Sequence, residues 1–317
     1  MRKINFLVLL TFFLLTILLD LFYGLNNFEF GSLIFKLRGY RVLTALIGGG
    51  GLAVCGLVLQ TWFRNSLADP FLLGVNSGSN LLIALGVFGV SIFGVELSNY
   101  SLVLLGISGA IISLSFLLLI NKFFESSIYL IIFGLLFSYL TSGIINFLMS
   151  FGSEHQLKSY LLFSFGSFEK VLGVDLLIYS ALILVGVLFI FRSAKNLNYL
   201  LLGENYAVSL GVNIRRYQRF LIFLVGIVSG VIGVYCGPIV FIGMMGPHLV
   251  RFMLNESNHK NLVPLTFVAG GFLAVFSDVV ATHFLLGRLP LNTVIGLIGT
   301  PIVGYVLLRN AWRVNNA

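Results

Sequence analysis

The amino-acid sequence predicts an all-α polytopic membrane protein of about ten transmembrane helices, with short cytoplasmic helices between the sixth and the seventh. Three observations carry this. Only 9% of the 317 residues are charged, where a soluble domain carries about 25%. Hydrophobic residues make up 58%, and mean hydropathy is +1.04. Apolar runs of membrane-spanning length recur along the whole chain, parted by short polar turns, so residues 1–317 form a single transmembrane domain. The net charge of +8 does not point to nucleic acid, because excess Lys and Arg in such a chain set the orientation of the spans. Cys55 and Cys236 fall inside apolar runs and imply neither a disulfide framework nor a metal site. The four histidines, His155, His248, His259 and His283, lack ligand spacing and read as surface or packing residues.

Runs of about 20 apolar residues are candidate spans. They lie at 4–23, 42–62, 71–93, 101–121, 127–150, 171–191, 219–236, 238–254, 262–286 and 291–309. The first follows Met1-Arg-Lys and looks like a signal peptide, but Asp20 stands where small residues would mark cleavage, so it reads as a span. The eighth is short and contains Pro247, His248 and Arg251. It reads as a broken or tilted helix whose freed backbone groups are satisfied inside the protein.

Ten spans put both termini on one side. With that side cytoplasmic, the inner basic residues are Arg2, Lys3, Arg64, Lys122, Arg192, Lys195, Arg215, Arg216, Arg219, Arg251, Lys260, Arg309 and Arg313. The outer ones are Lys36, Arg38, Arg41, Lys158, Lys170 and Arg288. Thirteen against six satisfies the positive-inside bias and sets the orientation. The connections 24–40 and 151–170 then lie outside.

The glycines follow a pattern. Gly48, Gly49, Gly50, Gly51 and Gly56 crowd the second span, and Gly226, Gly230, Gly233 and Gly237 recur at helical spacing in the seventh. Small residues so placed let helix backbones approach closely in lipid. In the fifth span Gly134, Ser138, Ser142, Asn146 and Ser150 recur every four residues, making a narrow polar stripe. Such a stripe bonds a neighbouring helix or lines water, and both readings stand. Ser138, Ser142 and Asn146 are the candidates for a translocation path.

Residues 202–219 interrupt the lipid pattern. The stretch begins Leu202-Gly-Glu-Asn and ends on Arg215, Arg216 and Arg219. Gly203 and Glu204 open a short helix, Glu204 sitting where the helix dipole favours negative charge. Gly211 suits a helix stop, and Asn213 suits the cap of the next helix. Ala207, Leu210 and Val212 are small or apolar residues in an otherwise polar segment. A structured cytoplasmic pair of helices, over about 199–216, reads as a docking knob for a soluble partner.

Residues 59–78, LQTWFRNSLADPFLLGVNSG, form a tight cytoplasmic turn in which Arg64 and Asn65 leave the membrane, Asp69 follows, and Pro70 sets the entry to the next helix. This stretch resembles the signature of the FecCD-type permeases, membrane subunits of bacterial ABC importers for iron-siderophores, haem and cobalamin. Further matches run in order: Leu202-Gly-Glu-Asn to Gly211, then Cys236-Gly-Pro-Ile-Val-Phe-Ile-Gly-Met-Met-Gly-Pro-His248 with Arg251, then Leu289-Pro290 with Gly299-Thr-Pro301. The chain departs from the family at Arg38-Gly-Tyr-Arg41, where Arg-x-Pro-Arg is usual, at Arg288, where an acidic residue usually precedes Leu-Pro, and at Thr282, where an arginine often stands.

The resemblance implies a second permease copy, two ATP-binding subunits holding ATP and Mg, and a soluble substrate-binding protein outside. It implies ATPase coupling through Gly203, Glu204, Ala207, Leu210, Gly211 and Val212, docking of the binding protein at Arg38 and Arg41, and gating of the outer mouth by 156–168. The expected location is the bacterial cytoplasmic (inner) membrane, and the chain itself is expected to bind no cofactor and to catalyse nothing. It has no Gly-x-x-x-x-Gly-Lys-Ser/Thr phosphate loop. An ion-coupled secondary transporter is the alternative. It would place carboxylates at mid-membrane, where only Asp278 qualifies, and Asp278 has no partner within its own span.

Overall fold

The computed structural model describes residues 33–89, 98–121, 123, 127–283 and 289–315, with 11, 14–18 and 20 from the first apolar run. Most of the first expected span, residues 24–32 of the first outer connection, and Arg288 lie outside the described residues. These form helices and no strand: α1 (Leu33–Trp62), α2 (Val75–Ala84), α3 (Asn99–Asn121), α4 (Ser127–Met149), α5 (Glu154–Ser164), α6 (Val174–Arg192), α7 (Ala194–Leu202), α8 (Glu204–Ser209), α9 (Ile214–Cys236), α10 (Ile242–Leu254), α11 (His259–His283) and α12 (Leu291–Asn315). A π-helical turn, Leu85–Gly89, continues α2. Six helices among the described residues are long and apolar enough to cross a membrane.

α1 is the hub. Every residue from Ile47 to Trp62 is buried, so this half of the helix presents no face to lipid. Its glycines explain how. Lipid tails are as apolar as leucine, so helices associate in a bilayer through close packing instead of a hydrophobic drive. A side chain at Gly49 would run into the Gly270 carbonyl and Ala274 of α11, and one at Gly50 into Phe267. One at Gly56 would strike the backbone of Gly243 on α10, and ones at Gly48 and Gly51 would strike Tyr179 and Ile183 of α6. α1 thus meets the backbones of α10 and α11 directly and takes side chains of α6 into the space its glycines leave. A second seam joins α3 to α2 and α9, through Gly109 against Gly78 and Gly230 against Ile107.

Observed helix limits differ from the expected spans where sequence hydropathy is a poor guide. α1 begins nine residues before 42, because Leu33–Tyr40 continue the helix across the basic residues Lys36 and Arg38. The expected eighth span shrinks to α10, whose 13 residues reach only about 20 Å against a hydrocarbon core of about 30 Å. The chain before it is unwound, with φ of 78° at Gly237 and 60° at Phe241, and α10 lies buried against α1. α5 opens with a capping box: Ser153 Oγ accepts from the Gln156 N–H (3.4 Å), and Gln156 Oε1 accepts from the Ser153 N–H (2.9 Å).

The α1–α11 seam is tied at its outer end by charge. Asp278 is 1% exposed on α11. Arg41 of α1 turns its planar fork onto it through Nε and Nη2, the latter 2.8 Å from Oδ1. The third guanidinium nitrogen, Nη1, bonds Glu169 in the loop after α5. Asp278 therefore does have a basic partner, on a different helix from its own.

Two outcomes follow from these contacts. Asp278→Asn removes the buried charge partner of Arg41, leaving it only the exposed Glu169, and is expected to cost about 3 kcal/mol, while the double change Arg41→Met, Asp278→Leu recovers part of it, because a poorly compensated buried charge is costlier than an apolar pair. Gly56→Ala meets backbone that no rotamer can move, for an expected loss of about 1–3 kcal/mol. Gly143→Ala, with open space around it, is expected to be neutral or stabilising by up to about 1 kcal/mol. Unfolding midpoints of the detergent-solubilised protein check both; a Gly56→Ala midpoint equal to that of Gly143→Ala would refute the close approach.

Candidate functional site

The segment between α6 and α9 is built as a compact cytoplasmic unit. α6 ends at Arg192, Ser193 caps it, α7 runs from Ala194 to Leu202, and Gly203, with φ of 125°, reverses the chain into α8. Glu204 is the first residue of α8. Gly211 follows with φ of 84°, and the Asn213 side chain accepts from the Arg216 N–H at 3.1 Å, capping α9. Both the stop and the cap that the sequence signals are therefore formed. The six expected coupling residues do not share one face. Ala207 is fully buried and pins the segment, its carbonyl accepting from the Leu210 and Val212 N–H groups. Gly203 and Val212 are half-buried, whereas Glu204, Leu210 and Gly211 are exposed. Tyr206, Val208 and Leu202 add apolar side chains to the exposed side. Contact with a partner would fall to these, with Ala207 holding them from behind.

The turn 63–74 meets this segment. Arg64, in the left-handed region with φ of 47°, brings its Nη2 to 3.1 Å from where a side chain at Gly203 would start. Asn65 Oδ1 accepts from the Leu67 N–H at 2.9 Å, folding the turn locally. Asp69 is 2% exposed. Burial pushes its carboxyl up to about 7, opposed by backbone N–H groups of Phe71, Leu72 and Met244. Asp69 thereby joins its own turn to the start of α10. The Pro70 carbonyl accepts from the Val75 N–H at 2.9 Å, where α2 begins. His248 and Arg251 of α10 bind the same region, through the Ser66 carbonyl (2.8 Å) and Gln60 Oε1 (2.7 Å).

A contact that sequence reasoning missed locks α7 to the hub. His259, fully buried at the start of α11, donates from Nδ1 to Asn198 Oδ1 of α7 at 2.8 Å, and its Nε2 lies 2.8 Å from Thr61 Oγ1 of α1. Asn198 Nδ2 donates in turn to Asn258 Oδ1 at 2.9 Å. The only sequence signal was a histidine placed at the very edge of an apolar run. The α1–α11 pair is thus fastened to the cytoplasmic segment at one end and by Arg41–Asp278 at the other.

At the outer end, α5 and its following loop are stitched to two other elements. Asn292, in the first turn of α12, donates to the Ser164 and Pro238 carbonyls at 3.1 and 2.6 Å, and the Ser167 N–H donates to the Cys236 carbonyl at 2.9 Å. Asn292 was also missed; it lies next to Leu289-Pro290 and carries no pattern of its own. The two expected docking arginines differ in setting. Arg41 spends its fork on Asp278 and Glu169, and Arg38 Nη1 donates to the Asp20 carbonyl at 3.3 Å. The polar stripe of α4 divides as well. Ser138 is half-buried and accepts from Ser77 Oγ of α2 at 2.8 Å, whereas Ser142 and Asn146 are exposed beside Tyr139 and Phe147.

Comparison with known proteins agrees with this architecture. The haemin transport system permease protein HmuU of Yersinia pestis is 30% identical over 276 residues, covering 86% of this chain and 82% of that protein. The molybdate import system permease protein MolB of Haemophilus influenzae is 32% identical over 280 residues, covering 88% and 81%. A solved structure described as an inward-facing conformation of a metal-chelate type ABC transporter superposes with a TM-score of 0.82 at 30% identity, covering 97% of this chain and 99% of that one. Residues 4–309 match the FecCD transport family, and the chain belongs to that family.

Proposed function

We propose that this chain is the permease subunit of an ATP-driven importer in the bacterial cytoplasmic (inner) membrane, forming the translocation path for an iron-siderophore or a related metal chelate such as haem or cobalamin. It works with a second permease copy, two ATP-binding subunits that hold ATP and Mg, and a soluble substrate-binding protein outside. The observation that carries the reading is the cytoplasmic segment: exposed apolar side chains at Tyr206, Val208 and Leu210, braced by buried Ala207 and joined through Asn198–His259 to α1 and α11. A pull or push on α8 reaches the two central helices through packed contacts. Arg38 and Arg41 are the proposed outer docking residues. Because Arg41 already binds Glu169, a carboxylate of the binding protein would take the place of Glu169 at Nη1. The relative named for molybdate widens the range of substrates to be tested. The ion-coupled alternative loses its best residue, since the Asp278 carboxylate is held by Arg41.

In a strain lacking this gene, the restored protein is expected to recover uptake of one labelled substrate among ferric chelates, haem, cobalamin and molybdate, with uptake requiring the ATP-binding subunits. Leu210→Asp is expected to abolish that uptake while leaving membrane insertion intact, since an unpaired charge at an interface costs several kcal/mol. Uptake driven by an ion gradient alone, without ATP, would overturn the reading.

A further inference from the structure

We propose that the groove between α6, α7 and the start of α9 is a binding site for one anionic phospholipid. The groove encloses about 560 Å³. Arg192, Lys195 and Arg216 stand around it, and no carboxylate lines it. None of the three cations takes part in an ion pair among the described residues; Lys195 lies over the Tyr199 ring, 5.8 Å from its centroid. The start of α9, capped by Asn213, adds the positive end of a 23-residue helix.

What separates a lipid from other anions is the wall below the cations. On α6, Arg192, Phe189 and Val185 follow at three- and four-residue spacing, so they lie on one face. Arg216, Phe220 and Phe223 do the same on α9. The two ladders run from charge to aromatic ring to exposed apolar side chain, and Phe189 and Phe220 meet edge to face with centroids 6.5 Å apart. Below them the exposed face of α6 is apolar, at Leu177, Leu184, Val185 and Leu188. A phosphate held by the three cations would therefore have its acyl chains directed past the Phe189–Phe220 pair onto lipid-facing surface. Basic pockets at the cytoplasmic ends of membrane helices recognise anionic headgroups in this way. The opposite rim of the groove is Leu210–Asn213, so the bound lipid would brace the loop between α8 and α9 against the end of α6.

The test uses the full-length chain in detergent, with retained lipids counted by native mass spectrometry after addition of phosphatidylglycerol or phosphatidylcholine of matched acyl chains. Wild type is expected to retain phosphatidylglycerol in preference. The variant Arg192→Ala, Lys195→Ala, Arg216→Ala is expected to lose about tenfold or more in phosphatidylglycerol retention, with phosphatidylcholine unchanged. Arg215→Ala with Arg219→Ala removes two nearby charges outside this groove and is expected to keep the preference. Absence of a preference in wild type overturns the proposal without any variant. Equal losses in both variants overturn it in favour of diffuse charge. If the triple variant keeps phosphatidylglycerol but no longer co-purifies with the ATP-binding subunits, the groove is a protein-docking surface instead. The site requires only that the chain spans a membrane, so its failure would leave the transport reading standing.

Discussion

The contact on which the rest of the structure depends is backbone against backbone between α1 and α11. Gly49 and Gly270 let the two helices approach until side-chain volume is excluded from the seam. In a bilayer this is the available source of tight association, because burying apolar side chains against one another gains little over burying them in lipid tails. Once α1 is packed to that distance, the remaining partners are constrained. α10 reaches it through Gly56 against Gly243 and through Gly246 against Ala53, and α6 where Gly48 and Gly51 leave room for Tyr179 and Ile183. The consequence is a hub helix that touches protein on all sides over its inner half.

A seam of glycines alone has no polar marker to fix its register. Here it is pinned at both ends by polar groups that cannot be left unpaired. Arg41 and Asp278 hold the outer end, and Thr61, His259 and Asn198 hold the cytoplasmic end. A buried charge or imidazole without its partner costs more than the pair gains, so these contacts specify one alignment and penalise slips. They also give the pair its mechanical reach. The cytoplasmic pin includes a residue of α7, and the outer pin includes Glu169 in the loop after α5. Elements on opposite sides of the membrane are therefore attached to the same two helices.

The cytoplasmic segment shows how a short polar stretch holds shape between two spans. Left-handed backbone at Gly203 and Gly211 sets its two reversals, the Asn213 cap starts α9, and Ala207 fills the space behind. Within α8 the apolar side chains of Tyr206 and Val208 face outward and Ala207 is the buried residue, while α7 buries Leu197 and Leu200.

Much of this was legible in the sequence by itself. Hydropathy determines that the chain is helical and crosses a membrane, because no other structure satisfies backbone groups in lipid except a closed barrel. Local chemistry determines the stop at Gly211, the cap at Asn213 and the crowding of glycines on one span, since each acts within a turn or two of its own position. Tertiary structure alone decided what depends on partners distant in the chain. Asp278 is 237 residues from Arg41, and His259 is 198 from Thr61; no periodicity relates them. The same holds for Ala207, whose small apolar side chain suits an inner or an outer position equally, and for the stripe on α4, where Ser138 turns toward α2 while Ser142 and Asn146 do not. Hydrophobic pattern reports that a residue leaves water. Which neighbour it meets is set by the rotation and register of helices in a medium that gives little preference among apolar faces, and only close packing resolves it.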